Sequence, residues 1–169
     1  MVALAGGELT MRTFASDVRP YPARRDDWEG CHRLAERILF DRQAQDPVSL
    51  EHGRLTEEQV KTRARIAGAL VTLWNRVLDF QALPAELDCS EDLGASLDEL
   101  RVEMQALRKW KQAALAADPS HPDARADAAI AEALWWHLQP IAPQSLSHIW
   151  IAQDYARFER SQQRAQRRA

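Results

Sequence analysis

The chain has 169 residues, a formal charge of −3, 46% apolar residues and 28% charged ones, the proportions of one ordinary globular domain with enough apolar mass for a packed core. No apolar run approaches the ~20 residues that span a bilayer, and a net negative charge gives no general attraction to nucleic acid. Two cysteines 58 positions apart, Cys31 and Cys89, form neither a CxxC pair nor a disulfide framework, so reduced thiols in a cytoplasmic protein are expected.

Residues 1–25 read as an irregular segment. Pro20 and Pro22 around Tyr21 disfavour helix, and Met1 and Met11 both stand as candidate starts. From Asp26 the pattern changes. Asp26 or Asp27 can cap a helix whose Trp28, Cys31, Leu34, Ala35, Ile38 and Leu39 recur at spacings of three and four. Pro47 predicts its end by Asp46. Gly53 then allows a sharp turn. Thr56 and Gln59 form a capping box for a second helix, with Val60, Ala64, Ala67, Leu70, Val71, Trp74, Val77 and Leu78 as its stripe and Pro84 as its limit. Gly68 weakens that helix unless a partner approaches closely there.

A connector follows. Ser96 and Glu99 cap a third helix carrying Leu97, Leu100, Met104, Leu107, Lys111 and Ala114, widened by Trp110 and Leu115. Pro122 suits the first turn of a fourth, with Ala124, Ala128, Ile130, Ala131, Leu134, Trp135 and Leu138. Pro143 and Ser145 introduce a fifth, with Leu146, Ile149, Trp150, Ala152, Tyr155, Ala156 and Phe158. No segment alternates apolar and polar residues, so no sheet is expected. The expected fold is all-α: one bundle of four to five mostly antiparallel helices over residues 26–158, followed by a basic tail over 159–169.

Two charge runs stand out. Between Glu86 and Glu103 seven acids, Glu91 and Asp92 among them, face one arginine. Between Tyr155 and Ala169 five arginines, Arg157, Arg160, Arg164, Arg167 and Arg168, face one glutamate. The tail arginines keep three-four-three spacing through Arg167, so a helical tail would carry a basic stripe that could hold phosphates or an acidic protein surface. No aromatic is interleaved after Phe158, which argues against stacking on single strands. Trp135 and Trp136 diverge by ~100° on a helix, so both indoles cannot enter one narrow stripe. They either share a broad core or leave Trp136 as a partner anchor.

The sequence contains no HExxH, no second Glu-x-x-His to match Glu29–His32 as a di-iron bundle needs, no GxSxG and no phosphate-binding glycine loop. Cys31, His32 and Glu36 form one incidental trio. No catalytic, cofactor or metal residue is assigned.

The stretch AALAADPSHPDA (113–124) resembles the junction between tetratricopeptide repeats, where a helix ends in Asp-Pro, though no 34-residue period recurs. CHRLAERILFDRQAQDPVSLEHGRLTEEQVKTRARIAGALVTL (31–73) resembles small helical-hairpin proteins of phages and prophages. Those run from a charged helix through a proline and a V…GR(L/M)T corner into a second helix. Arg42, Pro47, Val48, Gly53, Arg54 and Thr56 hold the matching places. The resemblance implies a mobile-element setting and brings no catalytic residue, since that group has no settled activity. The expectation is a non-enzymatic interaction protein, such as an inhibitor of a host defence complex or an assembly factor. Its expected partner is another protein. The alternative is nucleic-acid binding through the basic C-terminal helix, and self-association is compatible with either.

Overall fold

A computed structural model describes residues 21–167; residues 1–20 of the expected irregular segment, and Arg168, lie outside the described residues. Among the described residues the chain is helical, with six α-helices and no strand. They are α1 (Trp28–Glu51), α2 (Glu57–Leu78), α3 (Cys89–Leu93), α4 (Leu97–Ala117), α5 (Pro122–His137) and α6 (His148–Gln166), with one 3-10 turn at Glu86–Asp88. The helix beyond the expected four to five is α3, a five-residue piece inside the connector.

Local chemistry sets most boundaries. The Asp27 carboxylate accepts from the Gly30 N–H at 2.8 Å and starts α1. Thr56 with Gln59, and Ser96 with Glu99, form reciprocal capping boxes at the starts of α2 and α4. Pro122 occupies the first turn of α5, where its missing N–H costs no hydrogen bond.

Three boundaries differ from the sequence reading. Helix α1 continues through Pro47 to Glu51. The proline leaves one carbonyl without an intrahelical donor, but tertiary contacts hold this last turn. Arg63 donates to both oxygens of the buried Asp46, at 2.7 and 3.1 Å, and Arg42 donates to the Arg63 carbonyl at 2.7 Å. Helix α2 stops at Leu78, well before Pro84. Helix α6 begins at His148 rather than near Ser145 and runs past residue 158 to Gln166.

Helices α1 and α2 pack as one hairpin and α4 and α5 as another, with α1 also against α5. At about 1.5 Å per residue the 24 residues of α1 span about 36 Å. The core between the hairpins holds Cys31, Leu34 and Ala35 of α1, Leu70, Leu73, Trp74 and Val77 of α2, Leu100 and Met104 of α4, and Ala131 and Leu134 of α5. Trp110 does not join it. It is 63% exposed, beside the start of α5. A Cβ built on Gly68 would meet no atom within 4 Å, so no close helix approach explains that glycine.

Candidate binding site on helix α6

The site is built where α6 leaves the bundle. Its first turns are tied to the connector after α2. Trp150 donates its indole N–H to the Pro84 carbonyl at 2.8 Å, and Gln153 donates to the Gln81 carbonyl at 2.5 Å. The Glu86 carboxylate accepts from the Ser147 backbone N–H at 2.8 Å and from its hydroxyl. Ser147 is the residue preceding α6, so an acid from the connector sits at the positive end of the helix.

Beyond these turns, α6 has two unlike faces. Ile149, Gln153, Arg157, Arg160, Arg164 and Arg167 follow one another at spacings of three and four, which puts them on one side. This side is buried at Ile149 and Gln153, half-buried at Arg157 and exposed at Arg160, Arg164 and Arg167. Roughly opposite, Ile151, Tyr155 and Phe158 keep the same spacing and are 42%, 63% and 59% exposed. Leu146, Tyr155 and Phe158 therefore do not belong to the core stripe read from the sequence.

The arginine side faces an open cleft of about 500 Å³ between α6 and the end of α2. Arg157, Arg160, Ser161 and Arg164 line it on one side, Asp79 and Phe80 on the other. The Arg160 guanidinium lies over the Phe80 ring, 4.3 Å from its centroid. Phe80 stands in an unusual backbone position. Its N–H bonds the Val77 carbonyl at 3.2 Å, the Gln81 N–H bonds the Arg76 carbonyl at 2.9 Å, and its φ is +55°. This is a Schellman helix end with phenylalanine where glycine is usual. The corresponding residue at the end of α1 is Gly53, at φ +66°, with the same two bonds to Leu50 and Ser49. A non-glycine residue in the left-handed region costs about 1–2 kcal/mol.

The two charge runs have different surroundings. Of the seven acids between Glu86 and Glu103, five meet an arginine. Glu86 and Asp98 lie at 3.8 and 3.3 Å from Arg101, Asp92 at 3.6 Å from Arg76, Glu99 at 2.5 Å from Arg65, and Glu103 against Arg42. The Arg65 hydrogen bonds and the Ser96 N–H hold the Glu99 carboxyl down at about 2. Among the described residues Arg160, Arg164 and Arg167 take part in no ion pair, and Arg157 has only the exposed Asp154 at 3.5 Å. The acid run is therefore largely neutralised within the fold, whereas the basic run remains available.

Trp136 is half-buried and engaged within the chain. Its ring stacks on His148 at 3.8 Å and meets Tyr21 and His137 edge-on at 5.8 and 5.1 Å. His137 is buried, and its Nε2 donates to the Arg25 carbonyl at 2.7 Å. Burial pushes its pKa down to about 4. Trp135 lies half-buried under the Arg108 guanidinium, 4.1 Å from its centroid.

Of the residues singled out from sequence, Arg157, Arg160 and Arg164 line one cleft. Glu91 and Asp92 on α3, Trp136 on α5 and Arg167 do not line it, and Arg168 lies outside the described residues. Sequence reasoning missed Phe80 and Asp79. The signal was a helix stripe ending at Leu78 with no glycine to close it.

The Cys31, His32 and Glu36 trio divides between core and surface. Cys31 is fully buried and its thiol is pushed up to about 12 by burial. His32 turns outward to the Asn75 side chain at 2.8 Å. Among the described residues no three His, Cys, Asp or Glu side chains are grouped to hold a metal, and no helix is long and apolar enough to cross a membrane. Comparison with family models, curated proteins and solved structures found no match to this chain.

Proposed function

We propose that this chain is a non-enzymatic docking protein that binds another protein through α6. One observation carries the reading: α6 extends past the bundle with an exposed apolar stripe, Ile151, Tyr155 and Phe158, opposite a row of arginines of which only Arg157 has a carboxylate within ion-pair distance among the described residues. A partner that covered the stripe would remove large aromatic side chains from water, the kind of burial that dominates interface energetics. The arginines, on the opposite side of the helix, offer a second contact surface that selects for acidic character. The resemblance of 31–73 adds the expectation of a phage or mobile-element accessory role, and that segment forms most of α1 and most of α2.

The second reading is nucleic-acid binding through the same arginines, favoured by their lack of ion pairs. Capture and cross-linking from the native host should recover a defined partner with the wild-type chain and lose it with Tyr155→Ser/Phe158→Ser. Binding to generic DNA or RNA that collapses steeply with salt, and is indifferent to that double substitution, supports the second reading instead.

A further inference from the structure

We propose that the cleft between the end of α2 and α6 is a seat for carboxylate side chains of an acidic peptide segment. Arg157, Arg160 and Arg164 are the groups that bind them, and Phe80 is the residue that positions Arg160. This deepens the docking reading above and rests on it.

The first support is charge. Three guanidiniums converge on one cleft, and among the described residues only Arg157 has a carboxylate within ion-pair distance. Guanidinium groups bind carboxylates in a planar, two-bond geometry that a lysine cannot reproduce.

The second support is Phe80. Glycine would end α2 without strain, as Gly53 ends α1, yet the chain keeps an aromatic residue at φ +55°. What that ring gains is contact with Arg160, whose guanidinium carbon lies over it, 4.3 Å from the centroid. The cation–π contact holds the guanidinium at the wall of the cleft, so the group is placed for an anion before one arrives. Strain at a left-handed residue that persists beside a charged cleft is the kind found at ligand sites.

The third support selects the ligand. Asp79 stands in the wall of the cleft. A carboxylate there repels a continuous phosphate backbone, which offers acceptors and no donors. A peptide brings N–H groups along with its acids, and these can satisfy Asp79 while its carboxylates meet the arginines. The cleft volume also lies within the ~300–1,000 Å³ that seats small ligands and short segments.

The test uses the full chain, a fluorescein-labelled peptide of alternating glutamate and glycine, and a single-stranded oligonucleotide of equal charge, followed by fluorescence polarisation at low salt. The peptide should bind more tightly than the oligonucleotide. Arg160→Gln and Arg164→Gln should each weaken the peptide about tenfold, the loss expected for a charge-assisted hydrogen bond. Phe80→Gly should weaken it while leaving the melting temperature equal or higher, and Phe80→Tyr should retain binding. Arg54→Gln, at the exposed hairpin corner, should change nothing. The proposal is overturned by absence of peptide binding, by tighter binding of the oligonucleotide, or by an Arg54 effect as large as the Arg160 effect. If these results fail while Tyr155→Ser/Phe158→Ser still abolishes partner capture, the cleft assignment falls and the docking reading stands.

Discussion

The acidic run between Glu86 and Glu103 and the basic run of α6 look equally exposed as strings of letters, and the fold treats them in opposite ways. The acids lie at the centre of the chain, between helices that carry Arg42, Arg65, Arg76 and Arg101, and five of the seven find one of those partners. The arginines lie on a helix that leaves the bundle, where no other element among the described residues brings a carboxylate within 4 Å of Arg160, Arg164 or Arg167, Asp79 in the cleft wall included. The lesson concerns position more than composition. A charge run between packed elements becomes structural glue, and one on a departing helix remains free for an outside partner.

The largest test of this contrast is at Arg101. It donates to the Leu138 carbonyl at 2.8 Å and to the Ser147 hydroxyl at 2.9 Å, and it neighbours the mostly buried Glu86. Arg101→Met should destabilise the fold by about 2–3 kcal/mol in urea denaturation, because it removes two hydrogen bonds and the positive charge beside a mostly buried acid that then keeps only its Ser147 donors. Adding Glu86→Gln should recover part of that loss. A change under about 1 kcal/mol would mean the acid run is not structural.

A pH series separates the neutralised acids from the core. His137 has a folded pKa of about 4, below its ordinary value of 6.5, with Asp26 and His148 as the titratable groups that act on it. Between those values the unfolded chain binds a proton that the folded chain does not. Stability should therefore fall as pH drops from about 6.5 to 4, by about 3 kcal/mol. Glu99 acts in the other window. Its carboxyl is lowered to about 2, so its contribution is present above its unfolded value and is lost only as pH falls toward 2. Thermal melts at pH 7 and pH 5 should differ in the wild type and much less in His137→Gln, which retains a donor for the Arg25 carbonyl. An equal slope in the variant would assign the loss to His148, whose pKa burial also lowers.

The smallest expected effect is on the basic run. Arg164→Gln and Arg167→Gln should shift stability by no more than about 0.5 kcal/mol, as exposed side chains without an ion pair do. A loss as large as that of Arg101→Met would erase the contrast between the two runs.

Much of this architecture was legible from local chemistry. Both capping boxes, the turn at Gly53, the proline start of α5 and the apolar stripes of α1, α2 and α4 follow from side-chain oxygens, backbone freedom and three-four spacing, which act within a few residues. The arginine stripe of α6 was equally readable, because helical spacing alone places Arg157, Arg160 and Arg164 together. Contacts distant in sequence decided the rest. Helix α1 passes Pro47 because Arg63, on the next helix, clamps Asp46. Trp110 stays exposed although it stands beside the stripe of α4, and Trp136 is engaged because Tyr21 and His148 close on it from both ends of the chain. Which charges are spent and which stay free follows from which elements come to lie side by side, and local propensity carries no information about that.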